Sequence, residues 1–148
     1  MTKAIIFDWI GVLSAGSKGG VFKDSKEILQ RLKSKKYRLG LVSLAGYGNE
    51  KRVRDIEDSG LKPYFDSIVV DTTKKIEHYQ RCLDELGVNP DEALIVDDRT
   101  VRGIKIGNEL GCKTCWVMYE KYANETPNKE TGEPTYRIKS TRDLLTIL

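Results

Sequence analysis

The sequence predicts one α/β domain, a doubly wound Rossmann-like fold with about five parallel strands and helices on both faces. Short runs of β-branched residues alternate with longer helical patterns, which is typical of a parallel sheet. The first run, 4–7, is apolar throughout, as expected of a strand buried on both faces. A length of 148 residues fits a single domain, 1–148, with its core at about 4–119 and a C-terminal loop and helix at 120–148.

Each predicted strand is a short apolar run bounded by polar or turn-forming residues. The five parallel strands are predicted at residues 4–7, 39–43, 67–71, 93–96 and 114–118. Residues 136–138 have the composition of a short edge strand. Residues 120–134 are polar and contain Pro127, Gly132 and Pro134, so we expect a long surface loop there.

The predicted helices show apolar residues at helical spacing between capping and stop signals. The first is capped by Asp24 or Ser25. Asn49 opens a strongly charged second helix, in which Val53 and Ile56 are expected to face inward. Three further helices carry a clear boundary signal: a stop at Gly87, a stop at Gly111, and a capping box formed by Ser140 and Asp143.

Composition and charge exclude several classes of function. The net charge of +3 is too small to indicate a nucleic-acid partner, and no apolar run approaches the roughly 20 residues of a membrane span. The N-terminus has no signal-peptide pattern. Three cysteines, including the pair Cys112 and Cys115, are interpreted as reduced core thiols. We therefore expect a cytoplasmic protein, while its oligomeric state is left open.

Chemistry-bearing side chains follow four of the predicted strands. Asp8 follows the first strand, Ser43 ends the second, residues 71–75 follow the third, and Asp97 and Asp98 follow the fourth. Ligands of open α/β sheets bind beyond the carboxyl ends of the strands, so these residues are expected to converge. Paired carboxylates can hold Mg²⁺, while a lysine and a hydroxyl can bind phosphate. The sequence thus predicts a magnesium and phosphate site.

Four motifs resemble those of the haloacid dehalogenase superfamily, in the same order and with similar spacing from residue 4 to about residue 119. The motifs are Phe7-Asp8-Trp9-Ile10-Gly11-Val12-Leu13, Leu41-Val42-Ser43, Lys74-Lys75 and Ile95-Val96-Asp97-Asp98. The resemblance implies hydrolysis, most often of phosphate esters, with Mg²⁺ as cofactor and a phosphorylated substrate.

The resemblance also implies roles for individual residues. Asp8 would be the nucleophile and a metal ligand, and Ile10 would offer its backbone carbonyl to the metal. Asp98 would supply the second metal carboxylate, with Asp97 beside it as a further candidate ligand. The phosphate-binding and catalytic positions are Ser43 with Leu44, and one of Lys74 and Lys75, between which the sequence does not decide.

The chain departs from the family pattern at two positions. Phosphatases of the family usually carry a second aspartate two residues after the nucleophile, as general acid and base, where this chain has Ile10. Such acid–base help is worth about 10²–10⁴-fold in rate. The family often has another acid five residues after the metal aspartate, where this chain has Gly103. Asp97 is a possible substitute for that acid.

Neither segment that carries a cap domain in the family, 14–23 or 44–73, has room for one. An uncapped site would suit a large or macromolecular substrate, or closure by a partner subunit. Two other functions stay open. The chain could be a non-catalytic module that binds Mg²⁺ or a phosphorylated ligand, or a carbon–halogen hydrolase, although the latter chemistry does not need the metal site that Asp98 would complete.

Overall fold

All strands of the computed structural model lie in one parallel sheet, in the order β3-β2-β1-β4-β5-β6. The structure describes residues 1–16, 19–46 and 48–148. The strands are β1 (Ala4–Phe7), β2 (Arg38–Leu44), β3 (Ser67–Asp71), β4 (Ala93–Asp97), β5 (Lys113–Val117) and β6 (Tyr136–Ile138). The predicted doubly wound Rossmann-like α/β fold is confirmed.

Strand β1 lies at the centre of the sheet because its side chains are apolar on both faces. All four of its residues are fully buried. Ile6 pairs with Gly40 of β2 on one side and with Ile95 of β4 on the other. The residue after β1 therefore lies between the ends of β2 and β4.

Helices cover both faces of the sheet. They are α1 (Ser25–Ser34), α2 (Asn49–Asp58), α3 (Ile76–Leu86), α4 (Lys105–Leu110) and α5 (Leu144–Ile147). A π-helical turn, Thr100–Ile104, leads into α4. Gly87 and Gly111 end α3 and α4 in left-handed conformations with φ of 68° and 87°, as their glycines predicted. The capping box of Ser140 and Asp143 also forms.

Two apolar cores follow from the alternation of side chains along the strands. One packs Phe7, Leu41 and Val96 against α1, α2 and α5. The other packs Ile6 and Ile95 against α3 and α4. No helix in the described part of the chain combines the length and the apolarity that a membrane crossing requires.

The sheet has one strand more than the five that the sequence analysis counted. Residues Tyr136–Ile138 pair in parallel with β5 over three positions, which is too short a run to show a strand periodicity. The segment before it is held against the domain by several hydrogen bonds. Asn108 donates to the carbonyls of Thr131 and Glu133, and Thr114 and Thr135 exchange two hydrogen bonds.

Candidate active site

The carboxyl ends of four adjacent strands bring the predicted site residues to one edge of the sheet. Asp8 follows β1, Ser43 is the penultimate residue of β2, and Asp97 ends β4 with Asp98 after it. Lys74 enters from the segment between β3 and α3. Because β1 lies between β2 and β4, Asp8 is the centre of this group.

Lys74 is the lysine that reaches this group. Its Nζ atom lies 2.9 Å from Oδ1 of Asp8 and 3.0 Å from Oδ2 of Asp97, and its side chain is only 2% exposed. Lys75, the other lysine proposed from the sequence, is exposed and stands at the N-terminus of α3. Its backbone N–H donates to Nδ1 of His78. The structure therefore places Lys74, and not Lys75, beside the nucleophile candidate.

Three carboxylates and one ammonium share this nearly buried space. Oxygens of Asp8, Asp97 and Asp98 lie within 4.8 Å of one another. Burial and the charge of Asp97 raise the pKa of Asp8 to about 6, although Lys74 opposes the shift. Burial and the charges of Asp8 and Asp97 raise the pKa of Asp98 to about 9. The site thus has more negative charge than Lys74 compensates, and its donors are hard oxygen atoms, so a divalent cation such as Mg²⁺ fits it.

Gly11 makes room for Asp98. A Cβ atom on Gly11 would lie 2.3 Å from Oδ2 of Asp98, and Gly11 has a φ of +83°, which side chains rarely adopt. The Nε1 atom of Trp116 donates to the backbone carbonyl of Asp98 at 3.1 Å and fixes its backbone. The glycine after Ile10 is therefore required by the position of the second carboxylate.

Asp97 is held by three donors. Its Oδ2 atom accepts from Lys74 Nζ and from the backbone N–H of Gly103 at 2.9 Å, and its Oδ1 atom accepts from the backbone N–H of Arg99 at 3.0 Å. Burial raises the pKa of Asp97, but Lys74 and the Arg99 N–H outweigh it, and the pKa lies below its ordinary value. Asp97 therefore remains ionised and, together with Asp8, fixes the position of the Lys74 ammonium group.

Gly103 is the residue that allows this arrangement. A Cβ atom at position 103 would lie 2.3 Å from Oδ2 of Asp97. The carboxylate of Asp97 thus fills the space in which a side chain at 103 would begin. Since this same carboxylate binds Lys74, the second departure from the family pattern has a steric reason.

Ser43 has a partner that the sequence analysis missed. Its Oγ atom is 2.5 Å from Nη1 of Arg52, and the same nitrogen donates to the Leu44 carbonyl at 2.8 Å. Arg52 lies one turn before the buried Ile56 on α2. This spacing puts both residues on the same face of the helix, and it was the sequence signal that could have predicted an inward Arg52. The prediction that Val53 faces inward was wrong, because Val53 is 39% exposed while Arg52 is turned toward β2.

Ile10 lies two residues after Asp8, at the start of the turn that follows β1. Its side chain is 37% exposed, packs toward Gly16, and carries no group that could donate or accept a proton. The hydrogen bonds of the following turn run to the carbonyl of Trp9, from the N–H groups of Val12, Leu13 and Ser14. Coordination by the Ile10 carbonyl stays a prediction.

Comparison with known proteins identifies the family. The family model for haloacid dehalogenase-like hydrolases matches residues 6–117. The chain is also similar to the glyceraldehyde 3-phosphate phosphatase of Methanopyrus kandleri, with 27% identity over 134 residues, which cover 86% of this chain and 56% of that protein. The chain thus spans about half the length of this curated relative. It belongs to the haloacid dehalogenase-like hydrolases.

Two solved structures share the fold. An uncharacterized protein from Listeria monocytogenes serotype 4b has a TM-score of 0.79 at 18% identity, with 99% of this chain and 96% of that chain covered. The HAD-hydrolase YfnB of Bacillus subtilis, bound to magnesium, has a TM-score of 0.72 at 24% identity, with 86% and 56% covered. At these identities the likeness concerns the fold.

Proposed function

We propose that this member of the haloacid dehalogenase-like hydrolases is a magnesium-dependent phosphatase that hydrolyses phosphate monoesters through an aspartyl-phosphate on Asp8. The observation that carries the proposal is the placement of Lys74 Nζ between Asp8 and Asp97, with Asp98 within reach of both carboxylates. A phosphatase among the relatives and a magnesium-bound structure with the same fold support the same chemistry.

Each residue has a distinct part in the proposed reaction. Lys74 holds one oxygen of the Asp8 carboxylate, which leaves the other to attack phosphorus. The phosphorus–oxygen bond to the alcohol breaks, and the departing oxygen takes a proton from water, because Ile10 has none to give. Water then attacks the aspartyl-phosphate, releases phosphate and restores Asp8. Ser43 and the backbone that follows it bind phosphoryl oxygens.

Asp8 and Asp98, with the carbonyl of Ile10, are the proposed ligands of Mg²⁺. When bound, the ion would neutralise the phosphoryl oxygens and hold the substrate in line with Asp8. Asp97 was also a candidate ligand. The three hydrogen bonds that it accepts favour a different part, in which it positions Lys74.

The substrate is proposed to be a phosphate monoester whose leaving group departs without a protein acid. A site without a cap would also admit large substrates. The test panel therefore needs triose phosphates, aryl phosphates and phosphorylated peptides.

Release of phosphate from this panel, measured with Mg²⁺ and with chelator, tests the function. We expect magnesium-dependent release that Asp8→Asn abolishes. The matched control is Asp91→Asn, an exposed acid that precedes β4 at the opposite edge of the sheet. Reduction of the quenched enzyme with borohydride, followed by mass spectrometry, would locate the aspartyl-phosphate on Asp8.

Other outcomes would favour the two competing functions. The exposed apolar side chain of Ile10 favours a non-catalytic module, and bound Mg²⁺ without phosphate release from any ester would support it. Halide release that is insensitive to chelator would support carbon–halogen hydrolysis.

A further inference from the structure

Arg52 is the unexplained cation of the site. It belongs to the charged helix α2, but its side chain turns inward and is half-buried beside the end of β2. Burial lowers the pKa of Arg52, and the largest opposing charge is the carboxylate of Asp8, ahead of Asp55 on its own helix. Its guanidinium therefore lies in the field of the proposed nucleophile.

The hydrogen bonds of Arg52 orient the hydroxyl of Ser43. A guanidinium has only donors, so Ser43 Oγ must be the acceptor in the 2.5 Å contact with Nη1. The hydrogen of the hydroxyl is then free to be donated elsewhere. In the part of the chain that the structure describes, Ser43 Oγ makes no second hydrogen bond. The Ser43 hydroxyl is thus a donor prepared for an oxygen that the protein does not supply.

Arg52 has an unused donor of its own. Both hydrogens of Nη1 are engaged, one by Ser43 Oγ and one by the Leu44 carbonyl. The Nε atom of Arg52 is buried, and it has no hydrogen-bond partner among the residues that the structure describes. Buried donors of charged groups are normally satisfied, because leaving one unpaired is unfavourable.

We propose that Arg52 is a further phosphate-binding residue, which directs the Ser43 hydroxyl toward the phosphoryl group and adds a second positive charge to that of Lys74. The inference rests on the proposed function, because it assumes a phosphoryl group at Asp8. Arg52 should favour dianionic monoesters, because a monoester offers the Ser43 hydroxyl and the guanidinium one more charged phosphoryl oxygen than a monoanionic diester does.

Binding of inorganic phosphate in the presence of Mg²⁺, measured by calorimetry, tests this role without requiring turnover. We expect Arg52→Gln to weaken phosphate binding by roughly 10- to 100-fold, the range for lost hydrogen bonds to a charged group. Arg52→Lys should restore part of the affinity for phosphate, because lysine keeps the positive charge but lacks the several N–H donors of the guanidinium group. Arg54→Ala is the matched control, since Arg54 is exposed on the same helix.

A double-mutant cycle separates this role from a structural one. If Arg52 acts through Ser43, adding Arg52→Gln to Ser43→Ala should weaken phosphate binding less than it does in the native chain. In turnover assays KM should rise more than kcat falls, and the preference for monoesters over diesters should shrink. Equal phosphate affinity in native protein and Arg52→Gln would overturn the inference, as would full additivity with unchanged monoester preference.

The outcomes also separate this inference from the proposed function. Phosphate binding that depends on Arg52, in a protein that hydrolyses no ester, would support the inference and refute the phosphatase. Hydrolysis that is indifferent to Arg52→Gln would support the phosphatase and refute the inference. A native protein that binds no phosphate with Mg²⁺ would refute the inference alone, because the proposed function is decided by phosphate release from esters.

Discussion

Replacing Gly103 with alanine should damage both stability and activity, because the new methyl group would enter the space of Asp97. The added Cβ would lie 2.3 Å from Oδ2 and 2.6 Å from Cβ of Asp97. Asp97 is fully buried and is held by Lys74 and by the Arg99 N–H, so it has little freedom to move away. Displacing it would remove one of the two carboxylates that hold Lys74.

The expected cost has two parts. Overpacking a buried site costs about 1–3 kcal/mol, and losing a buried hydrogen bond to a charged group costs about 1.5–3 kcal/mol. We therefore expect Gly103→Ala to lower the free energy of unfolding by about 2.5–6 kcal/mol. A displaced Lys74 would also misplace Asp8, and a shift of about 1 Å at a reacting group can cost about 10²-fold in rate.

Gly107→Ala provides the matched control. A Cβ there would lie 2.6 Å from Cγ2 of Thr114 and 3.0 Å from Cδ1 of Ile95, both apolar atoms outside the carboxylate cluster. It should lower the free energy of unfolding by about 1–3 kcal/mol without lowering kcat/KM. Urea unfolding and phosphate release, measured at a temperature at which both variants are folded, make the comparison. If Gly103→Ala matched Gly107→Ala in both quantities, the account of Asp97 would be wrong.

Three further changes test Asp98, Ile10 and Glu125. Folding raises the pKa of Asp98 from 3.8 to about 9, so the metal-free folded protein binds more protons than the unfolded chain. Its melting temperature in chelator should therefore fall as pH rises from 6 to 9, and saturating Mg²⁺ should flatten this profile. A flat profile in chelator would contradict the raised pKa of Asp98. Ile10→Asp should increase the rate of phosphate release from alkyl esters by up to about 10²–10⁴-fold. The gain with aryl esters should be smaller, because aryl leaving groups need less protonation. Equal gains with both kinds of ester would argue against a missing general acid. Glu125 accepts hydrogen bonds from Arg99 and from the backbone N–H groups of Thr100 and Val101. Glu125→Ala should therefore lower the free energy of unfolding, measured in urea, by about 1–3 kcal/mol and expose residues 119–134 to proteolysis. Unchanged cleavage would show that other contacts hold this loop.

Much of the fold was predictable because its local signals agree with one another. The apolar run of β1 requires burial on both faces, and the glycine stops of α3 and α4 fix where these helices end. Strand β6 carries no comparable local signal in the sequence. It has three residues, and its pairing with β5 depends on the path of the preceding loop.

The site was predictable to the level of strand ends but not to the level of side chains. The sequence spacing places both Lys74 and Lys75 after β3. In the structure α3 begins at Ile76, with Lys75 exposed at its N-terminus and Lys74 buried beside Asp8. The orientation of α2 was misjudged for a related reason. Hydrophobicity favours burial of Val53, but at this position the acceptors at the end of β2 bind the guanidinium of Arg52 instead.

The relation between Asp97 and Gly103 shows why residue-by-residue comparison with a motif can mislead. The two positions are six residues apart in sequence, yet the carboxylate of one occupies the space where the side chain of the other would start. A side chain at 103 and the carboxylate of Asp97 therefore cannot both occupy this space. A glycine at 103 is, in this light, the necessary partner of the acid at 97. The first departure has no such counterpart among the contacts that the structure describes, and the side chain of Ile10 has no proton to donate. A missing general acid, rather than a missing positioning acid, is thus what should limit the rate of the proposed reaction.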